Sequence, residues 1–367
     1  MPYDAVMPFD VHEFPGASRM DRAAGRNNRR IVAIWLFTVA AMIMVMIVLG
    51  GATRLTGSGL SIMEWAPLMG ALPPMSDAEW HRLFALYQKI PQYNLVNDGF
   101  GLDGFRHIFW LEWTHRLWGR LIGAVFLLPL IWFAATGRIE RRMLPRLALL
   151  FVLGGLQGAV GWFMVASGFE PDSTAVSPYR LVIHLALALI LYAATIWLAL
   201  SLLHPVTRRV PKPLAPRVLA WACLGMVALT IIAGGFVAGL HAGLTYNTFP
   251  LMDGRLVPPG YAALHPLLRN LTENVAAVQF DHRLLATLTL LTVTAMGSLG
   301  PLFGLSKPLS ACLLAAVACQ YILGVATLMF VVPVPVATAH QAGAVILLTA
   351  VLAVLHRLTH GQPRILA

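Results

Sequence analysis

The sequence predicts an all-α integral membrane protein, with eight transmembrane helices arranged as two parallel-repeat four-helix bundles. Three observations predict it. Of its 367 residues, 58% are hydrophobic and 11% charged, and the mean hydropathy is +0.73, a balance that excludes a soluble domain. Eight apolar runs approach or exceed the roughly 20 helical residues that a hydrocarbon core requires. The last four runs repeat landmarks of the first four.

Spans are expected at about 31–53, 113–136, 147–166, 181–203, 216–240, 283–304, 309–332 and 335–356. The residues before the first, 1–30, are mostly polar and carry Arg19, Arg22, Arg26, Arg29 and Arg30. They read as a cytoplasmic tail with a basic collar, not a cleavable signal. Arg138, Arg141, Arg142 and Arg146 separate spans two and three, and Arg208, Arg209, Lys212 and Arg217 separate four and five. Lys307 lies between six and seven, and Arg357 and Arg364 close the chain in a second tail, 358–367. All fall on one side, which puts both termini in the cytoplasm. The net charge of +10 therefore sets topology. No basic-aromatic platform accompanies it, so no nucleic-acid partner is expected.

The second span shows how deep its charges lie. Leu121 to Thr136 is uncharged but only sixteen residues long, too short to cross alone. Its helix must start earlier, which draws His115, Arg116 and Arg120 to the interface or below it, where ionisable groups are costly and usually functional. Helical spacing puts Glu112, His115, Arg116 and Arg120 on one face.

The loop before it, 54–112, holds structure of its own. Ser76 to Glu79 is a capping box, followed by Trp80, Leu83, Phe84 and Tyr87 at helical spacing. This amphipathic helix either rests on the outer bilayer surface or covers something there. Cys223, Cys312 and Cys319 all fall inside apolar runs; neither a disulfide framework nor a zinc site is expected, and they read as buried small hydrophobes.

The repeat is direct. Gly50-Gly51 with Gly59, Leu60, Ser61 and Trp65 returns as Gly234-Gly235 with Gly243, Leu244, Thr245 and Phe249, at an offset of 184. His115-Arg116 returns as His282-Arg283 at 167, Gln157 and Gly161 as Gln320 and Gly324 at 163, and His184 as His340 at 156. The falling offset fits loops that shortened after a duplication. Four spans per half give both halves one orientation, unlike an inverted transporter repeat. The halves are 31–204 and 205–357.

Four of the twelve histidines, His115, His184, His282 and His340, open the even-numbered spans and so share one depth near the outer face. Each half offers one pair across a four-helix bundle, the geometry for axial ligation of a haem iron. One such histidine alone could equally bond a neighbouring helix; four at duplicated positions point to metal. The remaining eight are read as solvated. Arg54, Arg116, Arg120 and Arg283 are candidates, by position, for the haem propionates. The halves differ in their acids: Glu112 precedes His115 by a turn where Gln279 precedes His282, and Asp281, directly before His282, matches Thr114. Glu112 is either a group for proton transfer or charge stabilisation, or a salt-bridge partner of Arg116.

The motifs Gly50 to Thr56, Glu112 to Arg120, Gln157 to Val165, Tyr246 to Met252, Phe280 to Arg283 and Ala339 to Ala344, in this order, resemble those of the haem A synthase family. The resemblance implies oxidation of a haem O methyl group to a formyl group, by successive hydroxylations and loss of water, to give haem A for terminal oxidases. It implies a resident haem b on His282 and His340. His115 and His184 would flank the farnesylated substrate, haem O, with Glu112 as the carboxylate required for chemistry. The outer-loop cysteine pair of some members is missing from 54–112, which places the chain in the cysteine-free branch. The implied setting is the cell inner membrane, with haem sites near the periplasmic face. Implied partners are the haem O-producing farnesyltransferase, oxidase assembly factors, an electron acceptor of unknown kind and further copies of the chain. The rival reading is a di-haem b-type electron-transfer cytochrome; the Glu112/Gln279 difference argues against it, since a simple relay needs no acid.

Overall fold

The structure is a computed structural model that describes residues 19–67, 69–171, 173–204 and 213–360. Arg208, Arg209, Lys212, Arg364 and most of both tails lie outside the described residues. In chain order the helices are α1 (Arg19–Leu55), α2 (Asp77–Tyr87), α3 (Pro91–Leu95), α4 (Leu102–Ala135), α5 (Leu144–Ala166), α6 (Pro178–Leu203), α7 (Leu214–Gly239), α8 (Asn270–Glu273), α9 (Val275–Leu299), α10 (Lys307–Met329) and α11 (Val334–His360). Eight of them, α1, α4, α5, α6, α7, α9, α10 and α11, are long and apolar enough to cross a membrane. Among the described residues no extended strand forms; only Met252 and Arg255 make an isolated bridge.

Helix ends run beyond the apolar runs that announced them. The tail expected to 30 is already helical from Arg19. α4 starts at Leu102, not near 113, and α9 at Val275, not near 283. The early start of α4 has a packing cause. Phe105, Ile108, Phe109 and Glu112 form one buried stripe, so these turns bury an apolar face even outside the long apolar run. Their partner is α2, whose Trp80, Leu83 and Tyr87 join them in one apolar cluster. Ser76 caps α2 by accepting from the Glu79 N–H, as the capping box demands. α2, the lid helix, packs on the N-terminal turns of α4.

Helix neighbours define two rings. α1 packs on α4 and α6, and α5 on α4 and α6; likewise α7 packs on α9 and α11, and α10 on α9 and α11. α1, α6, α7 and α11 form the seam between the rings. Lipid is as apolar as leucine, so close approach of small residues replaces the hydrophobic effect there. Gln341 of α11 lies over Gly51 of α1 and donates to the Ile47 carbonyl at 2.8 Å. Val182 and Leu185 of α6 lie over Gly235 of α7. Gly51 and Gly235 are repeat partners, as are Leu185 and Gln341, so the two contacts are the same contact made twice. Tyr192 and Thr349 bond across the seam at 2.6 Å.

Two expectations about individual residues are corrected. Cys223 is buried, but Cys312 and Cys319 are exposed; an apolar run in a membrane protein can face lipid as well as protein. His356, expected to be solvated at a span end, is 3% exposed. The C-terminal ends of α6 and α11 pack together there, with Nε2 of His356 3.1 Å from Ser201 Oγ and its ring stacked on His360.

Candidate functional site

Each of the four spanning histidines lies over a glycine of the neighbouring helix. A Cβ on Gly50 would stand 3.2 Å from Nε2 of His115, and one on Gly161 2.8 Å from Cε1 of His184. In the second half the same construction on Gly234 gives 3.0 Å to His282, and on Gly324 2.8 Å to His340. A methyl group at three of these places would meet the ring at or inside the closest contact side chains tolerate. Glycine therefore lets the imidazole approach the next helix closely. His115 is within electrostatic reach of His184, and His282 of His340.

The residue one turn before the glycine steadies two of these rings. The Thr230 carbonyl lies 3.1 Å from Nδ1 of His282, and the Gln157 amide nitrogen 3.1 Å from Nδ1 of His184. Nδ1–H of His282 donating to a carbonyl leaves its Nε2 free to bind metal, whereas at His184 the Gln157 amide is the donor and the bond fixes the ring's position. Among the described residues His115 has no such hydrogen bond, and its Nε2 is the atom nearest Gly50.

Above the histidines, the loop after each half's first helix is clamped to its second helix in the same way. Arg116 donates to the carbonyls of Ile62 at 2.7 Å and Glu64 at 2.9 Å. Arg283 donates to Tyr246 at 2.5 Å and Thr248 at 2.8 Å, the repeat partners of those residues. The residue one turn earlier completes each clamp. Glu112, 2% exposed, accepts from Ser61 Oγ at 2.7 Å and the Ile62 N–H at 2.9 Å, and pairs with Arg116. Gln279, equally buried, instead donates to the carbonyls of Ala242 and Thr245. The salt-bridge alternative for Glu112 is thus realised in the geometry: its carboxylate is held by four donors.

The four candidate arginines separate by their partners. Arg116 and Arg283 serve the clamps. Arg120 donates to the Pro67 and Ala66 carbonyls at 2.8 and 2.7 Å. Yet Arg54 Nη2, Arg120 Nη1 and Arg283 Nε are each buried without a partner. Unsatisfied buried N–H groups are costly, and an anionic group close by would satisfy them. With paired histidines in glycine cradles, these donors fit a haem with its propionates towards the outer loops. Asp281, beside His282, accepts from Tyr261 Oη at 2.8 Å and keeps Oδ2 buried and unpartnered.

The lid carries its own ion cluster. Arg82 bonds both oxygens of Glu64 and pairs with Glu79, which holds both carboxyls below their usual range, chiefly through the hydrogen bonds. Arg116 also lies over the Trp162 ring at 5.6 Å.

The histidines, arginines and Glu112 stand out in the sequence, and Gly50, Gly161, Gly234 and Gly324 stand out there only as repeat markers. Their duplication in step with the histidines was the available signal.

Fold and site together define a polytopic membrane protein of two four-helix rings, each with a glycine-cradled histidine pair. The chain belongs to the family described as cytochrome oxidase assembly protein, whose sequence profile matches residues 33–352. It is 66% identical over 334 residues to a protein of Granulibacter bethesdensis named heme A synthase, covering 91% of this chain and 88% of the relative. A protein of Rhodospirillum centenum with the same name is 48% identical over 338 residues, covering 90% and 88%. One of Acidiphilium cryptum, named heme A synthase 2, is 47% identical over 342 residues, covering 90% and 92%.

Proposed function

We propose that this protein is a haem A synthase: an oxidoreductase of the cell inner membrane that converts the methyl group of haem O to the formyl group of haem A. The relatives named above support the reaction. The observation that carries the division of labour is the duplicated cradle with an unduplicated acid. Both halves hold a histidine pair, but only the first has a carboxylate, Glu112, where the second has Gln279.

On this reading the first half, 31–204, takes the substrate between His115 and His184. The second, 205–357, retains haem b on His282 and His340, and that group supplies single-electron transfer when bound. One ring in each half is anchored at Nδ1 from the neighbouring helix, His184 by Gln157 and His282 by Thr230, so each pair has one fixed ring. Glu112 fixes Arg116 and the 61–64 backbone above the first site and holds a negative charge there. Arg54, Arg120 and Arg283 have the N–H groups left for propionates. Both termini are cytoplasmic and the sites lie near the periplasmic face, as the arginine distribution supports. The haem O-producing farnesyltransferase and oxidase assembly factors are the natural partners.

Pigment extraction tests the function. Protein purified from cells able to make haem O should yield haem b together with haem O or haem A. Haem b alone under every condition would instead identify a di-haem electron-transfer cytochrome.

A further inference from the structure

The two halves share their histidine cradles but not the seam beside them. In the second half, the gap between α9 and α10 is closed. Tyr321 Oη lies 3.1 Å from Thr287 Oγ1, and its ring meets Phe249 edge-on at 6.2 Å. One turn deeper Val317 is 3% exposed, and Leu290 packs on the same core.

The offsets that align the histidines and glutamines place Gly158 at Tyr321, Gly154 at Val317, Arg120 at Thr287 and Gly123 at Leu290. All three glycines face open space: a Cβ on any of them meets no atom within 4 Å. Gly154 and Gly158 share a helical face with Gly161, the cradle of His184, and extend that face inward, away from the outer loops. Arg120 does not fill the gap, because its guanidinium reaches outward to the Ala66 and Pro67 carbonyls. α4 and α5 accordingly pack less closely than α9 and α10. Trp65, the repeat partner of Phe249, meets Trp162 of α5 edge-on at 5.5 Å.

We propose that the seam between α4 and α5, bordered by Gly123, Gly154 and Gly158, is the passage that receives the isoprenoid tail of the substrate haem. This rests on the first half being the substrate site. Every one of the three differences removes bulk beside the first pair and restores it beside the second. A long apolar chain attached to the ring leaves sideways towards lipid in the first half. Tyr321, Val317 and Leu290 block that route in the second, which selects a haem without a tail. The closed seam and the open one thus sort two haems that share the same axial ligation.

The test is spectral titration of the full-length protein in lipid nanodiscs with haem O and, separately, with tailless protohaem. Gly158→Tyr installs the second half's residue, and Gly154→Val does so with less bulk. Each should weaken haem O binding by about tenfold or more and leave protohaem binding within about twofold. The resident b-type spectrum, unchanged, reports intact folding. Equal loss of both ligands, or loss of neither, overturns the passage. Wild-type protein that binds protohaem but no haem O would overturn the substrate-site reading itself, so the two failures are distinguishable.

Discussion

Glu112 grips Arg116 with a single carboxylate oxygen: Oε1 lies 3.0 Å from Nε and 2.5 Å from Nη2. Its other oxygen holds Ser61 and Ile62. In the second half Gln279 meets Arg283 through one bond of 3.0 Å. The same loop is fastened to the same helix with and without a negative charge, so fastening alone does not require one.

Glu112→Gln and Glu112→Ala should therefore separate. The amide can keep Arg116 and the loop in place, as Gln279 does, so its variant should retain the b-type spectrum and most thermal stability while losing haem A production. The alanine variant strands a buried guanidinium and should also lose about 3 kcal/mol or more of stability. Thermal unfolding and pigment extraction on both variants check this. Full activity in Glu112→Gln would reduce the acid to a structural partner.

His282→Ala and His340→Ala should each abolish or strongly deplete the b-type absorption of the purified protein. His115→Ala and His184→Ala should leave it in place and stop substrate conversion. An unchanged b-type spectrum in the His282 and His340 variants would refute the assignment of the second half.

The cradles predict an effect from a single methyl group. Gly324→Ala puts a Cβ 2.8 Å from the His340 ring, where ring or helix must shift, at about 1–3 kcal/mol for overpacking. Haem b content should fall. Gly161→Ala imposes the same contact on His184 and should lower haem O binding with haem b unchanged. Gly225→Ala, which meets no atom within 4 Å, is the control. Haem quantification by pyridine haemochrome reads all three.

The lid should loosen in acid. Glu64 and Glu79 have folded-state pKa values held down by Arg82. Their contribution is present above the unfolded carboxylate value, about 4.3, and is lost as pH falls through the depressed folded values. Side-chain exposures of 44% and 41% limit it to about 1 kcal/mol. Amide protection in α2, taken relative to the intrinsic exchange rate at each pH, should fall below that pH, and Arg82→Ala should give the same fall at neutral pH. Exchange in α2 that ignores both changes would show that the apolar cluster alone holds the lid.

Composition and period made the eight helices legible, because a helix that crosses lipid must announce itself in its own residues. The same holds for the histidine pairs, whose shared depth follows from counting spans. Boundaries were less legible. The outer turns of α4 are helical because Phe105 and Phe109 bury themselves against Trp80, and a partner more than twenty positions away leaves no local mark.

By itself, then, the amino-acid sequence determined the number of helices, the duplication, the four histidines and the unpaired acid. Only the tertiary structure decided what surrounds them. It set Gly161 beneath His184, turned the Glu112 carboxylate onto Arg116, and left the seam beside Gly158 open where Tyr321 closes its counterpart. The reason is physical: hydropathy and period are properties of one helix, whereas a cradle, a clamp and a gap exist only between two.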